Sequence, residues 1–300
     1  MNPRHVLLAV AVAVVWGVNF VVIEVGLQDF PPLLFSGLRF LFAAVPAVFI
    51  LGRPRVAWRY VVAVGLSLGV AKFGLLFVGM DHGAPAGLSS LVLQCQVVFT
   101  LFFAVLALRE RPARMQLLGT AIACVGLVLI VLDGDLNAPL GAVALVIAAG
   151  ACWGVSNTVT RHARPPDTLR FMVWVSAVAV IPLLTLSLLT EGAQADVDAL
   201  RGIDWTGVGA LGYLAFVATL FGFGAWGFLL RTYDASTVAP FSTLVPVVGM
   251  AAAWLLRGEA VGPQRALAAL LIVAGMACAA IRRRAPVKAD SRELIAAESG

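Results

Sequence analysis

The feature that most constrains this chain is a succession of ten apolar stretches, joined by connections too short to hold a soluble domain. An α-helix rises 1.5 Å per residue, so about 20 apolar residues cross a hydrocarbon core of about 30 Å. The stretches cover residues 6–26, 32–51, 60–79, 86–108, 115–132, 139–160, 168–189, 206–230, 236–256 and 264–281, numbered spans 1 to 10. The longest connection, 190–205, is acidic. Of the 300 residues, 61% are hydrophobic and 12% charged. Soluble domains carry about 25% charge, and one soluble core of this size could not hide so much apolar surface. A cytosolic enzyme, a nucleic-acid binder and a disordered chain are thereby excluded. Strands of a membrane barrel would alternate apolar and polar residues, whereas residues 6–15 and 127–132 are continuously apolar. The predicted fold class is all-α integral membrane. Span 1 reads as a retained helix and not as a secretory signal, because it is long and no small-residue cleavage site follows it.

Lys and Arg set the orientation of such a chain. With the N-terminus in the cytoplasm, 16 of the 21 cations fall inside. These are Arg4, Arg53, Arg55, Arg59, Arg109, Arg111, Arg114, Arg161, Arg164, Arg170, Arg231, Arg282, Arg283, Arg284, Lys288 and Arg292. Arg201, Arg257 and Arg265 fall outside, where the loops instead carry Asp29, Asp81, Asp133, Asp135, Glu191, Asp196, Asp198, Asp204 and Glu259. Both termini are therefore expected in the cytoplasm, and the basic balance is an orientation signal. Cys95, Cys124, Cys152 and Cys278 all lie within spans without metal-ligand spacing, as small packing residues do.

The chain also repeats itself. Trp16-Gly17-Val18-Asn19 returns as Trp153-Gly154-Val155-Ser156-Asn157, and Pro31-Pro32 as Pro165-Pro166. Pro46 has Pro182, Arg109-Glu110 resembles Gly258-Glu259, and Gln116 and Gly126 match Gln264 and Gly275. The expected organisation is a first five-helix repeat over 1–135, a second over 136–284, and a polar cytoplasmic tail over 285–300. Five is odd, so the second repeat enters the membrane upside-down. Inverted-topology repeats are a signature of secondary transporters, because two such halves can exchange conformations and turn an outward-open cavity into an inward-open one. A duplicated scaffold with no transport role is the alternative.

The motifs resemble the drug/metabolite transporter superfamily, in particular its EamA-type exporters. The resemblance runs from Trp16 to about Ala280. It is carried by Val15-Trp16-Gly17-Val18-Asn19-Phe20, by Pro31-Pro32 with Gly37-Leu38-Arg39-Phe40, and by Pro85-Ala86-Gly87-Leu88-Ser89-Ser90-Leu91-Val92-Leu93-Gln94-Cys95-Gln96. The second half adds Tyr213-Leu214-Ala215-Phe216-Val217-Ala218-Thr219 and Val238-Ala239-Pro240-Phe241-Ser242-Thr243-Leu244-Val245-Pro246-Val247-Val248-Gly249. Pro246 corresponds to about Val97 in the first half, so the halves are chemically unequal. Within the superfamily the chain looks most like bacterial exporters of amino acids and their derivatives, including cysteine/O-acetylserine and aromatic amino-acid exporters. The resemblance implies ten helices in a bacterial inner membrane and export of amino acids or related metabolites by alternating access. A drug or other metabolite exporter of the same superfamily is the runner-up, and an enzyme acting on lipid-linked substrates a more distant rival. The expected partners are a small-molecule substrate and the lipid bilayer, with no nucleic acid. The oligomeric state is left open, and a monomer is compatible with the pattern.

Charges inside a membrane are costly and mark functional positions by default. Three occur: Glu24, Arg39 and Lys72. In one reading Arg39 or Lys72 faces a wet cavity and attracts a carboxylate, while Glu24 attracts an ammonium or carries a proton. In the other, Glu24 locks onto Arg39 and Lys72 snorkels to the surface. Ser89, Gln96 and Thr100 lie within about 40° of one another on a helix turning about 100° per residue. Trp153, Asn157 and Thr160 share a face of span 6, and Trp16 and Asn19 occupy the matching part of span 1. Amides serve both the donors and the acceptors of a zwitterion, and indole supplies an apolar or cation–π wall; interhelical glue is the blander reading of these polar groups. Pro46, Pro182, Pro240 and Pro246 interrupt helical hydrogen bonding and are candidate hinges. His82, beside Asp81, either relays protons or is a solvated loop residue. No cofactor or metal is expected: the chain has no Gly-x4-Gly-Lys-Ser/Thr loop, His-Glu-x2-His site or Gly-x-Ser-x-Gly elbow, so it is read as a non-enzyme.

Overall fold

A computed structural model describes residues 1–110, 112–132 and 138–280. Arg111, Asp133, Asp135, the expected 135/136 boundary, Arg282, Arg283, Arg284, Lys288, Arg292 and the expected tail over 285–300 lie outside the described residues. Among the described residues there are helices and turns and no strand. Ten helices are long and apolar enough to cross a membrane: α1 Pro3–Gly26, α2 Pro32–Leu51, α3 Trp58–Asp81, α4 Ala86–Leu108, α5 Arg114–Val131, α6 Leu140–Ala163, α7 Thr168–Gly202, α8 Trp205–Thr232, α9 Ala239–Arg257 and α10 Pro263–Ala280. They follow the ten spans, and the chain is a multi-pass membrane protein. Large apolar side chains such as Phe49, Ile50, Ile181, Leu255 and Leu256 are exposed, as a surface solvated by lipid tails allows.

Local chemistry sets the helix ends. Asn2, Asp167 and Asp204 cap α1, α7 and α8 by accepting backbone N–H groups of the first turn. Arg109 and Gly258 close α4 and α9 in the left-handed region, at φ 54° and 67°. The expected acidic connection 190–205 is mostly helix: a π-helical turn, Leu188–Gly192, leads into a helical arm, Ala193–Gly202. Gly192 at φ 95° lets the chain turn there. Asp196 anchors the arm by accepting a hydrogen bond from Ser187 at 2.8 Å. The acids that suggested a loop are thus used within helix.

The halves match in their irregularities as well as in their helices. α3 contains a π-helical segment, Gly65–Lys72, and its counterpart α8 contains Tyr213–Phe221. A 3-10 segment, Leu93–Cys95, interrupts α4, and Ala239–Thr243 opens α9. Pairing follows an approximate two-fold: α2 packs on α7 and α5 on α10, while α1 packs on α9 as α6 packs on α4. At the α5–α10 crossing Gly119 faces Gly275 and Gly126 faces Ala268. A separation of 149 residues relates Gly119 to Ala268 and Gly126 to Gly275, so the two contacts exchange under the symmetry.

The two ends of the bundle are packed differently. One is acid-rich, with Asp29, Asp81, Glu191 and Glu259; the other is rich in arginine, with Arg53, Arg55, Arg109, Arg161, Arg164 and Arg231. In α4 every residue from Ala86 to Cys95, towards the acid-rich end, is buried, whereas from Gln96 to Leu108 only Ala104 is. In α9 the buried residues, Pro246, Gly249, Ala252 and Ala253, also lie towards the acid-rich end.

Candidate functional site

Two cations sit where four helices meet. Arg39 of α2 is 2% exposed and Lys72, the last residue of the π-helical segment in α3, is 5% exposed. Both lie against one ring: Arg39 Cζ is 4.2 Å and Lys72 Nζ 3.3 Å from the centroid of Phe73. Lys72 Nζ is also 4.9 Å from Trp153 of α6. Arg39 Nε donates to Thr219 Oγ1 at 3.1 Å, and the Thr219 hydroxyl donates to Leu214 O, five residues back in the π-helical segment of α8. Short π-helical runs recur at functional sites, and here those of α3 and α8 each carry a residue of the cluster. The first half supplies both charges; the second supplies an indole and a hydroxyl.

A neutral cluster lies one turn along α6. Asn157 Nδ2 donates to Gln96 Oε1 at 2.8 Å and to Thr100 Oγ1 at 3.1 Å, and Thr100 Oγ1 to Gln96 Oε1 at 3.3 Å. Gln96 Nε2 and Asn157 Oδ1 have no hydrogen-bond partner among the described residues, which leaves one amide donor and one amide acceptor. Trp16 Nε1 donates to Ala218 O at 3.0 Å, and its ring lies near Phe223 and Trp226. Gly222 makes room for it, since a Cβ there would stand 2.5 Å from the indole nitrogen.

Carboxylates from one half cap helices of the other at the acid-rich end. α2 and α4 begin after Pro31 and Pro85, which offer no side-chain oxygen to the first-turn N–H groups. The other half supplies one. Glu191 accepts Leu33 N at 2.7 Å and Leu34 N at 3.1 Å, and Glu259 accepts Gly87 N at 2.8 Å and Leu88 N at 3.2 Å. A carboxylate at a helix N-terminus also meets the positive end of the helix dipole. Burial pushes the Glu259 carboxyl above its ordinary value, and Glu24 adds to the rise; the two N–H groups and Arg265 pull it down.

A family model described as EamA-like transporter family matches residues 4–132 and again 140–281. The chain belongs to this family. Two matches, one per five-helix repeat, account for the pairing seen in the fold. A probable amino-acid metabolite efflux pump of Salmonella typhimurium is 42% identical over 283 residues, covering 92% of this chain and 94% of the relative. Its Escherichia coli namesake is 41% identical over 284 residues, with the same coverage. A probable terminal-alkyne amino-acid exporter of Streptantibioticus cattleyicolor is 25% identical, covering 89% of this chain and 90% of the relative. A crystal structure with a TM-score of 0.62 and 18% identity, covering 93% of this chain and 97% of its own, shows the same fold. The protein is thus a transporter and not an enzyme.

This EamA-like transporter brings some expected site residues together and places others apart. Arg39, Lys72 and Trp153 converge, as do Gln96, Thr100 and Asn157. Ser89 does not join them: it is fully buried and donates to Ala84 O. Asn19 is buried with Oδ1 unpartnered, and Thr160 is half-buried nearly a turn beyond Asn157. Glu24 does not lock Arg39; it pairs with Arg257 at 2.9 Å. His82 is exposed, its Nδ1 2.9 Å from Val78 O and 3.7 Å from Asp81. Pro46 and Pro182 lie inside helices that continue through them, while Pro240 sits in the 3-10 turn and Pro246 just beyond it. Phe73 and Thr219, which meet the buried cations, and Glu191 and Glu259, which cap α2 and α4, are contacts that no sequence motif points to. A Pro at the N-cap, which has no capping oxygen, set beside an acid at the matching end of the other half, is the available signal for the two glutamates.

Proposed function

We propose that this transporter exports amino acids or related small metabolites from the cytoplasm across a bacterial inner membrane by alternating access of its two halves. The observation that carries the reading is the pair of buried cations, Arg39 and Lys72, packed on Phe73 where both halves meet. Two such charges in a membrane interior are costly unless they bind something, and a carboxylate is the chemistry they favour. Trp153 and Trp16 furnish apolar walls, and Gln96, Thr100 and Asn157 a polar patch below. Names of the Salmonella typhimurium and Escherichia coli relatives support amino-acid metabolites as the cargo. The excess of arginine at one end supports an orientation with both termini in the cytoplasm.

In this reading the conformation is inward-facing. The acid-rich end is the outer one, sealed by Glu191 and Glu259, and the half of α4 beyond Gln96 is open. Rocking the halves breaks these seals and closes the arginine-rich end in turn. The test is counterflow: purified protein in liposomes preloaded with unlabelled amino acids and their derivatives accumulates the labelled compounds. If a panel of amino acids, their derivatives, nucleobases and sugars all fail to exchange, the reading is wrong. Loss of flux in Asn157→Ala with the fold retained places the amide patch on the route; unchanged flux removes it.

A further inference from the structure

We propose that the preferred cargo is a net anion: an amino-acid derivative that keeps its carboxylate and whose amine no longer carries a charge, as in an N-acylated amino acid. This rests on the carboxylate-anchor reading of Arg39 and Lys72 and narrows it. A zwitterion brings an ammonium as well as a carboxylate, and a site for it needs a negative partner beside the positive one. Among the described residues no carboxylate lies within 4 Å of Arg39 or Lys72. Glu24, the acid within a span that could have served, is held by Arg257. Aromatic faces also attract ammonium groups, but the Phe73 ring is met by both protein cations and that of Trp153 by Lys72. Rings attract a cation without neutralising it, so two cations on one ring leave the cluster positive.

The unpaired donors agree. Arg39 Nη1 is buried without a partner although Nε is used by Thr219. Ser36, nearly one turn earlier on α2, is fully buried with its hydroxyl also unpartnered. Both are donors suited to a carboxylate. About 6 Å along α6 from Trp153, at four residues of about 1.5 Å each, Asn157 and Gln96 present the unpartnered amide acceptor and donor. These match the N–H and C=O of an acylated amine, which are neutral and need no counter-charge.

The experiment is counterflow by the full chain in liposomes with labelled N-acetyl-leucine and labelled leucine. An ammonium forced beside two cations of a poorly solvated site is penalised strongly, so N-acetyl-leucine should exchange faster than leucine by about tenfold or more. Arg39→Gln and Lys72→Gln should each remove that preference, and Arg39→Lys should retain part of it. A second measurement guards against variants that fail to fold: N-acetyl-leucine should raise the Tm of the detergent-solubilised parent protein and leucine should not. Leucine exchanging as fast as its acetylated form overturns the proposal while export of amino acids stands. Exchange of neither compound, nor of any member of the wider panel, overturns both.

Discussion

The glutamates that follow α4 and α9 occupy the same backbone cap and make different contacts. Glu110 N bonds to Ala104 O and Glu259 N to Ala253 O, each at 3.3 Å, after a residue in the left-handed region. Both the glutamates and their carbonyl partners are 149 residues apart. Glu259 reaches across to the start of α4. Glu110 does not reach the start of α9; it forms an exposed pair with Arg161 at 2.9 Å. One motif, engaged at the acid-rich end and disengaged at the arginine-rich end, means that for this glutamate pair the asymmetry lies in the arrangement of the halves and not in the local chain. Alternating access would exchange the two situations.

Glu259 is where the difference between the two ends is most exposed to mutation. Glu259→Ala strands Gly87 N and Leu88 N, and a lost hydrogen bond to a charged group costs about 1.5–3 kcal/mol. Labelling of a Leu88→Cys reporter by a membrane-impermeant maleimide should rise several-fold; unchanged labelling would show that Glu259 seals nothing. Glu191→Ala should act in the same sense with a smaller effect, about 1–2 kcal/mol in stability, because Ser187 and Asp196 still tie the arm down. Its check is thermal unfolding of the two variants side by side.

The two ends also differ in acidity. The half-buried Glu259 carboxyl holds its proton more tightly than an exposed glutamate, whose ordinary value is 4.5. The sealed end therefore binds more protons just above that value, so sealing is favoured as pH falls through this window and weakened as pH rises through it. Reporter labelling should increase with pH there, and Glu259→Gln should flatten the dependence. The smallest effect on stability belongs to Glu110→Ala, which removes an exposed ion pair worth about 0–1 kcal/mol. Counterflow should nevertheless fall if Glu110 takes over the sealing role in the opposite conformation. Full activity in this variant would make the motif at the two ends a coincidence of folding.

The spans, the repeat and the two buried cations are legible in the amino-acid sequence because a bilayer imposes length on helices and a penalty on charge. Arg39 and Lys72 stand out for that reason alone. Their surroundings do not. Thr219 meets Arg39 from 180 residues away, and Glu24 turns to Arg257 across 233; such pairings depend on how the halves are docked, which no local pattern encodes. Nothing in residues 65–72 announces a π-helical segment, since one extra residue in a turn changes no apolar pattern strongly enough to notice. The acids of 190–205 suggested a loop because charge is the ordinary mark of one, and here it anchors a helical arm.

The crossing of α5 and α10 has a consequence for how the protein tolerates change. Gly119 stands against Gly275 and Gly126 against Ala268, and a Cβ added at Gly119 or Gly275 would come within 2.5 Å of the other's backbone oxygen. Because symmetry swaps the two contacts, the seam is a single self-complementary surface written into both repeats. A bulky substitution in either repeat spoils a joint built from both, so the two halves of the chain cannot be re-engineered independently there.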